Sequence, residues 1–349
     1  VGATFSYKSA AVTGTADSLN LKFANATGDA VTTITGAIET LNVTSSTSAN
    51  AVQLESDATT LNISGSADLS LVAASTVLNL TTVVDASAAT GDITLAHDHT
   101  TSGTAVTITG GSGNDSFTLG GTSAAVDTIS GGAGDDTITF SAQLGDTDVI
   151  DGGTGTNTLV GTDANLRGLT TANNISNIDV IQFSDLLNDS TLTVANIDSA
   201  IKSVTLAGAH TGIVTFGAGT NTLRMTAALT SSTAAALTVN DTGLATNDVL
   251  NITMVNTADV FANQAIAING FETVNLNTGS WTADQDINTL NITGDPDSAG
   301  ERTDVTLVVT GSADLDLDGT VTLGTDGSGE GTIDASAFTG DLNIGVAVA

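Results

Sequence analysis

Along much of the chain, apolar and polar residues alternate in short runs. Thr60–Leu61–Asn62–Ile63–Ser64, Thr222–Leu223–Arg224–Met225–Thr226 and Thr289–Leu290–Asn291–Ile292–Thr293 each place a large aliphatic residue at every second position. Such runs, rich in β-branched residues and bounded by Gly, Asn, Asp and Ser, predict strands of three to six residues with one buried face. Helical periodicity is almost absent. Short helical turns are expected only over 162–174 and 257–268.

The strands recur on a larger period. Gly110–Gly111–Ser112–Gly113–Asn114–Asp115–Ser116–Phe117–Thr118 is followed 21 residues on by Gly131–Gly132–Ala133–Gly134–Asp135–Asp136–Thr137–Ile138–Thr139, and after a further 21 by Gly152–Gly153–Thr154–Gly155–Thr156–Asn157–Thr158–Leu159–Val160. Ile129 and Ile150 keep the same spacing, as do Asp127 and Asp148. Phe117, Ile138 and Leu159 would form one apolar column. A period near 20 with strands this short means one solenoid turn per repeat. The predicted fold is therefore all-β: a parallel β-helix or β-roll solenoid with turns of about 20 residues. The strict period covers about 104–161. This divides the chain into a solenoid segment 1–103, a glycine-rich roll 104–172 and a second solenoid segment 173–349. Segment 173–349 partly repeats the first. Val84–Asp85–Ala86–Ser87 recurs as Ile333–Asp334–Ala335–Ser336, and Gly-Ser-Ala-Asp-Leu occurs at Gly65–Leu69 and Gly311–Leu315. From the order of the repeated phrases the chain is expected to be part of a longer array.

Composition narrows the function. Against 38 Asp and Glu stand 6 Lys and Arg, a formal charge of −32. That excludes a nucleic-acid partner, which needs a dense cationic surface, and argues against docking on anionic lipid. Of the 38 acids, 33 are Asp. A short carboxylate suits tight turns and convergent ligation of hard cations. Aromatics are 3% of residues and cysteine is absent, so neither a ring-built core nor disulfides hold the fold. No apolar run reaches the eighteen or so residues of a membrane span, so direct membrane insertion is not expected.

The nonapeptides fit G-G-x-G-x-D-x-U-x, where U is large and apolar. Glycines let the loop turn sharply and bring carbonyls near a cation. Position six supplies a carboxylate, and position eight starts the next strand. Calcium takes six to eight oxygens, so two stacked loops are needed for one ion. Asp127 and Asp148, two residues before Ile129 and Ile150, add a second acidic column on the opposite edge of the coil. The candidate ligands are Gly111, Gly113, Asp115, Asp127, Gly132, Gly134, Asp136, Asp148, Asp151, Gly153 and Asn157, for several calcium ions. Asn157 replaces the position-six Asp of the third loop with a weaker, neutral ligand.

These loops resemble the RTX, or haemolysin-type, calcium-binding repeats. The flanking Thr- and Asn-rich strands, with Ile-Asp-Ala-Ser and Phe-Glu-Thr-Val phrases, are similar to bacterial surface-layer proteins of that class. The resemblance implies type I secretion, folding outside the cell in calcium, and self-assembly into a lattice or filament at the cell surface. Cell-surface polysaccharide is a further candidate partner. The usual family repeat is 18 residues with a nonapeptide on each side, so the 21-residue spacing here is a departure. The competing readings are the stalk of a secreted adhesin and an accessory domain of a secreted enzyme.

No catalytic constellation accompanies these motifs. There is no zinc-protease helix and no nucleophile elbow. Carboxylate pairs such as Asp284/Asp286 and Asp295/Asp297 suggest a glycosidase only weakly, since Trp281 and Tyr7 are the sole Trp and Tyr. His97–Asp98–His99 reads as a solvated strand edge, and His210 as structural or exposed. Gly324–Thr325–Asp326–Gly327–Ser328–Gly329–Glu330 is glycine- and acid-rich but out of register.

Overall fold

The structure is a computed structural model. It describes residues 3–6, 14, 16–27, 31–35, 38–71, 81–99, 104–121, 125–141, 144–170, 174–206, 211–226, 237–243, 247–254, 259–261, 264–279, 283–294, 304–317, 319–324 and 331–345. The fold is an all-β solenoid of parallel sheets, 57% strand and 4% helix, with turns about 23 residues apart. The chain divides into two compact units, one of Val1–Gly161 with Thr171–Asp179, the other of Thr162–Thr170 with Val180–Ala349.

In the first unit, eight parallel strands pair in turn-by-turn order from Ser18–Ala24 through Thr40–Ser46, Thr60–Gly65, Val83–Ala89, Thr107–Thr109, Thr128–Ser130 and Val149–Asp151 to Ile175–Ser176. A second sheet of this unit runs from Asn50–Ala51 through Leu69–Leu71, Ile93–His99, Ser116–Gly121 and Thr137–Phe140 to Thr158–Gly161. Alternation makes the strands. In Thr40–Ser46 the Leu41 and Val43 side chains are buried while Thr40, Asn42 and Thr44 are half-exposed. Because a side chain faces inward every second residue, in-register turns stack like on like. Leu41, Leu61, Val84, Ile108, Ile129, Ile150 and Ile175 form one buried column. Leu71, Leu95, Phe117, Ile138 and Leu159 form the other. Each such side chain contributes about 1.5–3 kcal/mol by leaving water.

The second unit repeats the scheme. Its columns are Ile181, Val204, Leu223, Ile252, Leu276 and Val309, and Leu192, Val214, Val239, Ile268, Ile292 and Leu323. Turn length varies more widely than the glycine-rich stretch suggests. Ser203 pairs with Thr222, and Thr273 with Thr306. A solenoid tolerates such differences because only the strands must stay in register.

The long repeat folds alike in its two copies. Gly65 and Gly311 share a left-handed φ, +112° and +108°. Thr90 N–H bonds the Gly65 carbonyl at 2.8 Å, and Thr339 N–H bonds that of Gly311 at 3.0 Å. Asp92 N–H reaches Asp68 Oδ1 at 3.0 Å, and Asp341 N–H reaches Asp314 Oδ1 at 2.7 Å.

The helical turn expected over 162–174 is the helix Asp163–Gly168, capped by Thr162, whose side chain accepts from Asn165 N–H at 3.2 Å. The one expected over 257–268 is overturned in its second half. Gln264–Asn269 is a strand, buried at Ile266 and Ile268, because its period-two pattern pairs in register with Thr238–Asp241 and Gln285–Thr293.

Candidate metal centre

Each glycine-rich loop carries the chain from one sheet to the next. Gly132 and Gly134 adopt φ of +103° and +118°, and Gly153 and Gly155 +85° and +119°. The loops also stack closely: Ala133 N–H bonds the Gly111 carbonyl, and Thr154 N–H that of Gly132, both at 2.9 Å. A Cβ on Gly132 would strike the Gly111 carbonyl oxygen, and one on Gly153 that of Gly132. Gly111 and Gly113 lack the left-handed φ; there glycine is required by close approach, to the Ala89 carbonyl and to Asp92.

Beneath the loops lies the first acidic column. Asp115, Asp136 and Asn157 are each 1% exposed. Asp115 Oδ1 accepts Ile93 N–H at 2.8 Å, Asp136 Oδ1 accepts Asp115 N–H at 2.7 Å, and Asn157 Oδ1 accepts Asp136 N–H at 3.0 Å. Asp179 extends the ladder by accepting Asn157 N–H at 2.9 Å. The second column is equally buried. Asp127 Oδ1 accepts Val106 N–H and Asp148 Oδ1 accepts Asp127 N–H, both at 2.9 Å. The two columns precede strands of different sheets. Asp151 belongs to neither. It is half-buried, with Oδ1 accepting Gly153 N–H at 3.0 Å and Asn177 Nδ2 at 2.6 Å.

The same device recurs beyond the predicted residues. At a solenoid corner, an N–H directed along the stack has no carbonyl above it and would be unpaired. A side-chain oxygen from the next turn fills the gap, as in Glu39 to Asp17, Asn50 to Ala26, Asp185 to Asp163 and Glu272 to Asp248. A further ladder runs in the opposite sense, the oxygen coming from the preceding turn: Asp92 N–H to Asp68 Oδ1, Asn114 N–H to Asp92 Oδ1, Asp135 N–H to Asn114 Oδ1 and Thr156 N–H to Asp135 Oδ1. Sequence reasoning missed it, although Asn114 and Asp135 hold position five of the nonapeptide and give the signal. Corner capping thus accounts for part of the Asp excess without any ion.

It does not account for Asp136 Oδ2. A Cβ on Gly131 would strike both Asp136 Oδ2 and the Gly152 carbonyl oxygen. The two oxygens therefore sit over the same bare Cα. One turn earlier, Asp115 Oδ2 and the Gly131 carbonyl oxygen meet over Gly110 in the same way. One turn later, the oxygen pairing is broken by an amide: Asn157 Nδ2 donates to the Asn177 carbonyl at 3.1 Å. Asp115 Oδ2 accepts Gly111 N–H at 2.7 Å. Asp136 Oδ2 is buried without a hydrogen-bond partner. Burial, first, and the nearby Asp115, Asp135 and Asp92 raise the Asp136 carboxyl to about 6, against the bond from Asp115 N–H, which lowers it. Burial also raises Asp115, while Gly111 and Ile93 N–H groups oppose the rise.

A buried carboxylate oxygen with no donor, next to a backbone carbonyl oxygen, is a place that favours a proton or a cation. The residues fit a calcium ion in this respect: the donors are all oxygen, from one carboxylate and backbone carbonyls of stacked loops. Among the described residues no three or more His, Cys, Asp or Glu side chains converge on one point, so carbonyls must complete any such site. Asp115, Asp136 and the carbonyls of Gly131 and Gly152 are the groups that would hold it. Gly111, Gly113, Gly132, Gly134 and Gly153 shape the loops. Asp127 and Asp148 each use Oδ1 in corner capping, and Asp148 Oδ2 accepts Gly145 N–H at 2.9 Å.

Of the remaining candidates, His97 is corrected. It is 1% exposed, aligned with buried Leu119, and its Nε2 bonds the Thr81 carbonyl at 2.8 Å. It stands at an inward position of its strand, and the carbonyl supplies the partner that a solvated edge would not need. Asp284 is exposed and Asp286 half-buried. His210, Trp281, Tyr7, Asp295, Asp297 and residues 325–330 lie outside the described residues, as do the side chains of Asp98 and His99. Compared with known proteins, the chain matches no family model, no curated protein and no solved structure.

Proposed function

We propose that this chain is a calcium-stabilised structural solenoid of the RTX type, secreted, and built to assemble with copies of itself into a cell-surface layer. The observation that carries the reading is the buried, unpartnered Asp136 Oδ2, which crowds the bare Cα of Gly131 together with the Gly152 carbonyl oxygen, in a stack of glycine loops with one turn's spacing. Bound calcium would neutralise such carboxylates and join consecutive turns. Metal affinity then becomes folding free energy, which suits a chain that stays unfolded until it meets calcium outside the cell.

The surface supports a structural role. Outward positions carry in-register amide and hydroxyl ladders, such as Asn20–Asn42–Asn62 with bonds of 2.8 Å, and Asn240–Asn269–Thr293 with bonds of 2.9 and 2.8 Å. These short side chains give faces with little side-chain entropy to lose on contact. A charge of −32 holds copies apart until divalent ions screen and bridge it.

Light scattering and electron microscopy across a calcium titration test the reading. Ordered sheets or filaments should appear at millimolar calcium and dissolve in chelator. A monodisperse monomer at every calcium level would overturn the surface-layer role and leave the adhesin stalk or the accessory domain of a secreted enzyme.

A further inference from the structure

A second group of buried oxygens lies in the other unit, far in sequence from the glycine-rich loops and outside any motif. It surrounds the tight turn Gly217–Ala218–Gly219, where Gly219 has φ +111°. Asn221, fully buried, donates Nδ2 to the carbonyls of Gly217 at 2.8 Å and Gly219 at 3.3 Å. That fixes its amide orientation and leaves Oδ1 buried without a partner. Asp248, 1% exposed, accepts Gly219 N–H with Oδ1. Its Oδ2 is likewise buried and unpartnered. Asp241 reaches the turn from the neighbouring strand: Thr242 N–H bonds the Phe216 carbonyl at 3.1 Å, and Asp241 Oδ1 accepts Gly243 N–H at 2.9 Å. Asp241 Oδ2 is the third buried oxygen without a partner.

The charges are as informative as the contacts. Asp241 is raised to about 6 by burial first, with the adjoining Asp248 carboxylate adding repulsion and its own side-chain contact. Two acids within each other's reach and no cation in the pair is a costly arrangement. Lys202, which is exposed, donates its Nζ to the Ala218 carbonyl at 3.0 Å.

We infer that Asp241, Asp248 and the amide oxygen of Asn221 form a calcium site on the Gly217–Gly219 turn, separate from the glycine-rich loops. The donor set is purely oxygen and carries two negative charges, which selects a hard divalent cation. Calcium is preferred to magnesium because it tolerates irregular oxygen cages, whereas magnesium demands near-ideal octahedral geometry and retains water. The ion would pin the strand ending at Asp241 and the strand beginning at Val249 to the turn between Phe216 and Thr220. The site does not depend on the reading of the loops, since no residue is shared.

Isothermal titration of the full chain with calcium chloride, and in parallel with magnesium chloride, tests it. Asp241→Asn, Asp248→Asn and the double variant should each lose the same single calcium equivalent. Asp136→Asn should leave that equivalent in place. Unchanged stoichiometry in both single variants, with circular dichroism matching the parent, would overturn the site and leave a pair that shares a proton. If a variant does not fold, amide exchange in the parent chain decides. Calcium should slow exchange at Gly219 and Gly243 N–H at least tenfold relative to chelator. Equal rates would overturn the proposal, and an equal response to magnesium would overturn the assignment to calcium.

Discussion

Asp136 Oδ1 accepts the backbone N–H of Asp115 at 2.7 Å across one 21-residue turn, while its Oδ2, equally buried, accepts nothing. One carboxylate thus has a structural half and an unsatisfied half. The two halves respond differently to substitution.

Asp136→Asn keeps an oxygen for Asp115 N–H and offers an N–H towards the Gly152 carbonyl, as Asn157 does one turn later. In excess chelator it should raise the thermal midpoint. In millimolar calcium the order should reverse, with the parent the more stable. Asp136→Ala should lose about 1–3 kcal/mol in chelator, because the buried N–H of Asp115 is left unpaired, and more in calcium, where the ligand is lost as well. Thermal melts by circular dichroism check all three. An Asn variant equally destabilised with and without calcium would argue that Oδ2 holds no ion.

The contrast between those halves also marks what the sequence could reveal. The 21-residue spacing of Phe117, Ile138 and Leu159 makes the stack legible, and Asp115, Asp136, Asp127 and Asp148 follow because they keep a fixed offset from those anchors. Asp179, Asp185 and Glu272 perform the same corner capping but follow turns of other lengths, so no period announces them. His97 fails for a related reason: its burial depends on alignment with Leu119, which becomes visible only once turns are in register. Asp241 and Asp248 meet over a turn that lies more than twenty residues upstream, with no glycine-rich motif to mark it.

Stability should depend on pH in opposite senses with and without calcium. The folded-state values of Asp136 and Asp241 lie near 6, above the ordinary 3.8. In chelator, the folded chain therefore holds protons that the unfolded chain has released between those values. Stability falls as pH rises through that window and is higher at pH 5 than at pH 7. Asp85 and Asp334, lowered by bonds from Ser87 and Ser336, lose their stabilisation only below the window and do not offset the trend. With saturating calcium, protons compete with the ion, and stability should fall on acidification from pH 7 to 5. Chelated protein that is least stable at pH 5 would count against buried, unpaired carboxylates.

Gly153→Ala should cost more than a surface glycine change. Its φ of +85° is strained for any side chain, and the added Cβ would meet the Gly132 carbonyl oxygen. A loss of at least ~1–3 kcal/mol follows from the backbone conformation alone. Gly145→Ala meets nothing within 4 Å and should lie near neutrality. Urea melts of the two variants compare them directly, and equal midpoints would show that the loop relaxes freely.

Ile129→Ala should loosen the first unit locally. Ile129 is 1% exposed and stacks between Ile108 and Ile150, so truncation should cost about 2–5 kcal/mol. Val126, 46% exposed on the same turn, is the control, and its change to Ala should stay within about 0.5 kcal/mol. A solenoid turn is supported chiefly by its immediate neighbours, so the loss should be read as position rather than as a uniform shift. Hydrogen exchange should quicken at Thr107–Thr109, Thr128–Ser130 and Val149–Asp151, while Leu206 and Leu223 in the second unit keep their protection. Uniform loss of protection across both units would mean that the turns unfold as one cooperative block. The glycine-rich loops would then stabilise every turn of the chain rather than their neighbours alone.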